Sequence, residues 1–317
     1  MDTLKIGLAQ VLSLSGSYSP FQSLLARLYG GFILAFHNLE PERFIQQIEA
    51  LKPNQPISLS DLISRAANNE STAGCFAITF DDGVGETVRA ITQVAVKHNW
   101  PVTFFLPTDY LDNPTQGMIF QWWRCLEPYL PSTKIHLPDV GNIDLSNNIK
   151  MREFKRHVKH LIDTKRRNET EPLIWGLVDF LTKNEYVKEE WLKPPAPITW
   201  EEVSQISTYS VIQFESHGIS HSPVSSLSPE QLEQELVASK QKISDATGYP
   251  CKHFCYPFGG QRSIGDLAPK IVAKYYQSGV TMHRGRVGRP KSLYSLPRIP
   301  LYPRDDASMA RLKTITV

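Results

Sequence analysis

Residues 76–83, Phe-Ala-Ile-Thr-Phe-Asp-Asp-Gly, carry a hydrophobic run straight into two adjacent carboxylates and a glycine. Phe76, Ile78 and Phe80 have the aromatic or β-branched character of a buried strand. Gly83 permits a sharp turn that leaves Asp81 and Asp82 at the strand's carboxyl end. In parallel α/β sheets and barrels that end carries the functional loops. Two neighbouring carboxylates repel one another unless partnered, so the pair implies a cation, a shared proton or both. The alternative is a plain acidic turn after a strand, and other segments must decide.

Around this strand the hydrophobic pattern alternates between strand and helix. Residues 32–37, Phe-Ile-Leu-Ala-Phe-His, read as a buried strand with His37 at its end. Helices are expected over 41–51 and over 58–67, the latter capped by Ser58 or Ser60, and over 86–98, with a strand at 102–106 between two prolines. The rhythm resumes with a helix at 199–206, a strand at 211–215, a helix at 228–247 and a strand at 253–256. A helix at 264–275 and a strand at 278–282 follow. Ser228 with Gln231 has capping-box spacing, and Gly248 is a natural helix stop. Such βαβ alternation implies a parallel sheet or barrel. Residues 118–193 break the rhythm with long charged, aromatic-punctuated stretches, which predicts a helical insertion or lid.

The 317 residues, 41% hydrophobic and 21% charged, suit one large domain over residues 1–317. A formal net charge of +2 argues against a nucleic-acid binder. The local basic run Lys155, Arg156, Lys159, Lys165, Arg166 and Arg167 reads as a solvated helix face, or else as a surface for an anionic polymer or membrane. Residues 1–29 carry no convincing export signal: Lys5 is the only basic residue before an apolar stretch that serines soon interrupt. Arg27, Gly30 and Gly31 break any membrane span, so no transmembrane helix and a cytoplasmic location are expected. The four cysteines, Cys75, Cys125, Cys251 and Cys255, are too sparse for a disulfide framework. Oligomeric state is left open.

His217-Gly-Ile-Ser-His221 follows the apolar strand beginning at Val211. Two imidazoles four residues apart converge on one metal if the segment between them turns tightly. Like the Asp pair, they lie just beyond a strand end, where parallel strands deliver their loops to one face. One carboxylate and two imidazoles suit Zn²⁺ or a neighbouring transition metal and leave positions for water and substrate.

These residues resemble the polysaccharide deacetylases, carbohydrate esterase family four with the NodB-like homology domain. Thr79-Phe-Asp-Asp-Gly83 looks like the family's first motif and His217–His221 like its second. The resemblance implies a distorted (β/α)7-type barrel. It makes Asp81 the general base, and Asp82, His217 and His221 the ligands of a divalent metal, Zn²⁺ first, with Co²⁺, Ni²⁺, Mn²⁺ or Fe²⁺ as alternatives. His253-Phe-Cys-Tyr-Pro-Phe-Gly259 resembles the third motif, whose oxyanion donor is the main-chain N–H after the proline, here that of Phe258.

Three departures stand out. Gly218 replaces the hydroxyl residue usual after the first His. Cys255 stands where an Arg would orient the catalytic Asp, and Arg298, in Leu-Pro-Arg-Ile-Pro, is the candidate to supply that cation by another route. No strand ending in His follows the third motif convincingly. Ile33-Leu-Ala-Phe-His37 fits that motif and lies ahead of the Asp pair, as in the circularly permuted deacetylases, which makes His37 the candidate general acid. The implied activity is hydrolysis of N-acetyl groups on an acetylated amino-sugar glycan. Trp122, Trp123 and Trp200 are candidates for a sugar-stacking wall. Two rivals remain: a glycosidase, whose carboxylates must flank a wider bond than adjacent residues do, and a silent carbohydrate-binding domain.

Overall fold

The structure is a computed structural model that describes residues 30–288 and 290–316. The expectations placed on residues 1–29 lie outside them. The chain begins with β1 (Phe32–Phe36), α1 (Pro41–Glu49), β2 (Gln55–Pro56), α2 (Leu59–Ala67) and β3 (Cys75–Phe80). Next come α3 (Gly85–His98), β4 (Val102–Leu106), α4 (Thr108–Asp112) and α5 (Ile119–Leu126). β5 (Lys134–Leu137), β6 (Gly141–Asp144), α6 (Asn148–Thr164) and α7 (Arg167–Lys183) follow. The last part holds α8 (Trp200–Ile206), β7 (Ile212–Ser216), α9 (Pro229–Thr247), β8 (His253–Cys255) and α10 (Gln261–Ile264). It closes with α11 (Ala268–Tyr275), β9 (Ser278–Val280), β10 (Ile299–Pro300) and α12 (Ala307–Ile315).

The main sheet runs β10-β1-β3-β4-β7-β8-β9, all parallel, with β2 alongside β3. β1 and β4 are buried along their whole length, as strands covered on both faces must be, hence their unbroken apolar runs. The sheet curls into a barrel-like wall. Leu296 N–H donates to Gly279 O at 2.8 Å and Thr281 N–H to Leu296 O at 2.9 Å, which ties β9 to the residues leading into β10. On the helix-covered face of this wall, Phe44 of α1 meets Phe36, Phe80 and Trp100 edge to face, at centroid distances of 5.6, 5.4 and 5.9 Å.

Local signals account for the element ends. Ser58 caps α2, and Thr199 and Ser228 form capping boxes with Glu202 and Gln231. α9 stops at Gly248, with φ 73°. Two expectations need correction. The helix expected over 264–275 begins only at Ala268, as α11; Ile264 instead ends the short α10, where Gly265 takes φ 68°. The insertion is not all helical: β5 and β6 pair as an antiparallel hairpin. The alternation of exposed and buried residues in Lys134-Ile-His-Leu137 is strand periodicity. Ile135 and Leu137 join Ile119, Trp123, Leu126, Ile174 and Leu177 in a second core that holds α5, α6 and α7 together.

Among the described residues no helix is long and apolar enough to cross a membrane. Replacing Phe44 with Ala should cost about 3–5 kcal/mol, because it empties the space between α1 and three aromatic partners. Urea unfolding measures this, and a loss below about 1 kcal/mol would mean that the site collapses around the cavity.

Candidate active site

Strand register gathers the site. Phe36 pairs with Phe80, Leu106 with Ser216, Ser216 with Phe254, and Cys255 with Val280, so the residues one step beyond each strand emerge on one rim. His37, Asp81 and His217 are among those residues. Asp81 N–H donates to Phe36 O at 3.0 Å and His217 N–H to Leu106 O at 3.0 Å, extending the ladders to the site itself. All seven sequence candidates meet here. His37, Asp81, Asp82, His217, His221 and Phe258 line one cavity of about 320 Å³, and Arg298 lies directly behind Asp81.

Asp82 Oδ1 lies 3.4 Å from His221 Nε2 and 3.8 Å from His217 Nε2. A tetrahedral ion with bonds near 2.05 Å holds its ligand atoms about 3.3 Å apart, so the donor set fits Zn²⁺ or a similar ion. His217 Nδ1 is 2.7 Å from Cys255 O, the orientation in which Nδ1–H donates and Nε2 keeps its lone pair for an ion. Burial pushes the His217 imidazole down to about 4, so it is neutral and able to ligate at pH 7. A second possible grouping, Asp81, His217 and Cys255, is a poor site. Arg298 Nη2 already contacts Cys255 Sγ at 3.1 Å, and burial keeps the thiol protonated.

The turn that carries Asp82 is left-handed at both Asp82 and Gly83, with φ 76° and 64°. His221 and Phe258 also take positive φ, 54° and 61°. Gly259 N–H donates to Pro257 O at 2.7 Å, closing a tight turn about Phe258. Three of the six non-glycine residues with positive φ among those described therefore sit in this site. The Phe258 N–H has no hydrogen-bond partner among the described residues.

Gly218 departs from the family pattern for a local reason. Its φ is 81°, and a Cβ there would lie 3.0 Å from Glu235 Oε2. The support a neighbouring hydroxyl would give comes from elsewhere. Ser216 Oγ accepts the Gly218 N–H at 3.1 Å, and Glu235 of α9 accepts the N–H groups of Ile219 at 2.5 Å and Ser220 at 3.1 Å.

Arg298 is fully buried and grips Asp81 with both ends of its fork, Nη1 to Oδ1 at 2.8 Å and Nη2 to Oδ2 at 2.7 Å. Its Nε donates to Thr281 O at 2.9 Å and its Nη1 to Thr79 Oγ1 at 3.0 Å. Burial alone would raise the Asp81 carboxyl, but the charge and hydrogen bonds of Arg298 outweigh it and hold Asp81 well below the usual carboxylate range. His37 Nε2 stands 4.0 Å from Asp81 Oδ2, its side chain 38% exposed to the cavity.

Of the three tryptophans, only Trp123 lines this cavity. Trp122 packs on Trp175 and donates to Gln116 O, while Trp200 donates to Asp112, so neither contributes to a wall there. Residues that the motifs did not mark also line it, among them Phe120, 5.1 Å from the His221 ring, and Arg124, Glu127, Lys159 and Asp163 of the insertion. Only the basic run containing Lys159 pointed to any of them.

A family model described as polysaccharide deacetylase matches residues 175–276, which hold the second and third motifs but not the Asp pair. YxkH of Bacillus subtilis (strain 168), which carries a polysaccharide deacetylase name, is 27% identical over 106 residues. That alignment spans 33% of this chain and 37% of YxkH. The deacetylase PplD of Streptococcus pyogenes, solved in complex with acetate, shares the fold at a TM-score of 0.55 and 16% identity, over 87% of this chain and 94% of its own. IcaB of Ammonifex degensii does so at 0.56 and 13%, over 90% and 97%. Residues 175–276 are thus similar to the polysaccharide deacetylases, and the fold as a whole is shared with PplD and IcaB.

Proposed function

We propose that the chain hydrolyses N-acetyl groups on an amino-sugar glycan with the help of a divalent metal, Zn²⁺ being the best match to the donor set. The observation that carries this reading is the convergence of Asp82, His217 and His221 beside a separately held Asp81, with His37 across the cavity. The description of PplD in complex with acetate, the acid product of such a reaction, agrees with it.

Asp82, His217 and His221 would hold the metal, which when bound supplies a Lewis acid that polarises the amide carbonyl and acidifies water at the site. Asp81 takes a proton from the attacking water at a carboxylate oxygen. Its tight pairing with Arg298 keeps it ionised but weakens it as a base, so the acidified water is a requirement of the scheme. The free N–H of Phe258 donates to the oxygen that gains charge as the carbonyl carbon becomes tetrahedral. His37 then delivers a proton to the sugar nitrogen as the C–N bond breaks, leaving acetate and an amine. Arg298 acts through Asp81 as a positioning residue, in the place that Cys255 leaves without a cation. The position of β1 between β10 and β3 lets a histidine ahead of the Asp pair reach the site, which supports the permuted arrangement.

Acetate release from N-acetylated oligosaccharides with added Zn²⁺ or Co²⁺ is the direct test. Its absence across neutral and acidic substrates would sink the reading. Asp82→Ala should lose bound metal, measured by elemental analysis. Asp81→Asn and His37→Ala should each retain metal and lose about 10²–10⁴ in kcat.

Arg298→Met should destabilise the fold by about 3–5 kcal/mol at neutral pH by leaving a buried carboxylate unpaired, and adding Asp81→Asn should recover much of that. Asp81 is depressed in the folded state relative to about 3.9 unfolded, so the pair's contribution is complete above roughly pH 4 and shrinks as pH falls. Urea unfolding of both variants from neutral to acidic pH checks the size and the sign.

A further inference from the structure

The catalytic cavity does not end at the metal ligands. It shares Lys159, Asp163 and Phe258 with a second cavity of about 580 Å³, so the two form one groove that runs outward between α6 and α10. Three elements deliver cations to it: Arg124 from α5, Arg156 and Lys159 from α6, and Arg262 from α10.

These cations are not equivalent. Lys159 is neutralised by Asp163 at 2.6 Å, and Glu127, the other acid on the groove outside the catalytic cluster, is paired with Lys155 at 3.2 Å. Arg124, Arg156 and Arg262 pair with no carboxylate among the described residues. Arg124 lies over the Phe120 ring, 5.4 Å from its centroid, and Phe120 in turn packs 5.1 Å from the His221 ring. One cation is thus a single aromatic ring away from a metal-ligand candidate, and the other two lie farther along the same groove.

A solvated helix face explains charges on one helix. It does not explain arginines from three elements facing one channel while the acids beside them are used up by lysines. Guanidinium suits planar carboxylate and phosphate oxygens, which it meets with two parallel hydrogen bonds. Concavity and continuity with the catalytic cavity favour a chain threaded through the site over a flat surface pressed against it.

We propose that this groove selects acetylated amino-sugar chains bearing anionic groups, carboxylate or phosphate, on the units that flank the one being deacetylated. The proposal rests on the deacetylase reading for the acetylated unit alone; the selection of charge belongs to the three arginines.

The test compares acetate release from neutral N-acetylchitohexaose and from an alternating N-acetylglucosamine–glucuronate hexamer. The acidic hexamer should be preferred by about 10-fold in kcat/KM at low salt, the size expected of three exposed charge contacts acting together. The preference should shrink as salt rises from about 0.05 M to about 0.5 M. The triple variant R124A/R156A/R262A should bring the ratio to about one, whereas Lys270→Ala, which removes a charge outside the groove, should leave it unchanged. A chitohexaose phosphorylated on its 6-hydroxyls distinguishes the anions, the better substrate naming the group selected.

Equal rates on neutral and acidic hexamers, or a preference that survives the triple variant, would overturn the proposal. So would a triple variant that loses only its binding to phosphatidylglycerol vesicles, since the arginines would then serve a membrane. If no hexamer yields acetate, the deacetylase reading fails separately. Calorimetric binding of the same hexamers then decides the groove: tighter binding of the acidic ones, lost in the triple variant, upholds it, and equal affinity refutes it.

Discussion

The bidentate pair between Arg298 and Asp81 is the constraint on which the rest of the site depends. Removing two charges from water costs several kcal/mol per ion, and only close geometry with further hydrogen bonds offsets that. Both conditions are met. Arg298 bonds Thr79 and Asp81 at the end of β3 and Thr281 just beyond β9, and it precedes β10 directly. One side chain therefore joins the strand that carries the Asp pair to the two strands where the sheet curls back on itself. The interaction that fixes the orientation of Asp81 is also one that draws the wall together.

Because Asp81 is fully engaged by Arg298, it is not free to act as a ligand, and Asp82 is left to face His217 and His221 alone. Adjacent carboxylates of identical chemistry are thus separated by their partners: one meets a guanidinium, the other two imidazoles. The backbone enforces the split. The left-handed turn at Asp82 and Gly83 swings the second carboxylate away from the direction of the first. Positive φ at Asp82, His221 and Phe258 means that the strand ends, held by regular ladders, support loops in conformations that ordinary residues avoid. Rigid strands hold those loops in place.

What was legible in the sequence follows from the range of the interactions. The strands, most helix ends and the three motifs are local: apolar runs, caps and prolines lie within a few residues of what they determine. The register that brings His37 beside Asp81 was readable from the alternation of strands and helices together with the motif resemblance. The Arg298–Asp81 pair spans 217 positions, and nothing near Arg298 marks its partner. What singled it out was a gap, Cys255 where a cation belongs. The β5–β6 hairpin went unread for a different reason. Its four-residue strands are short enough to be swamped by the charged helical stretches around them, although Ile135 and Leu137 alternate correctly. Trp122 and Trp200 show the converse limit: aromatic identity says nothing of direction, and both indoles are taken up by partners elsewhere.

The insertion walls the cavity but supplies none of the residues to which the proposed chemistry is assigned. The residues proposed as metal ligands, base, acid and oxyanion donor all come from strand ends and the loops beyond them, whereas the far wall of the cavity comes from α5 and α6. Those helices are held by a hydrophobic core of their own, in which Trp123, Leu126, Val158 and Ile162 face inward, so their outer residues are free to vary without loss of the fold. Trp123 and Ile162 belong to that core and line the cavity as well, which anchors the wall beside the charged residues Arg124, Glu127, Lys159 and Asp163. If the proposed chemistry at the strand ends and recognition on the insertion hold, the charge of the glycan accepted is set by side chains that neither the barrel core nor the reacting centre requires.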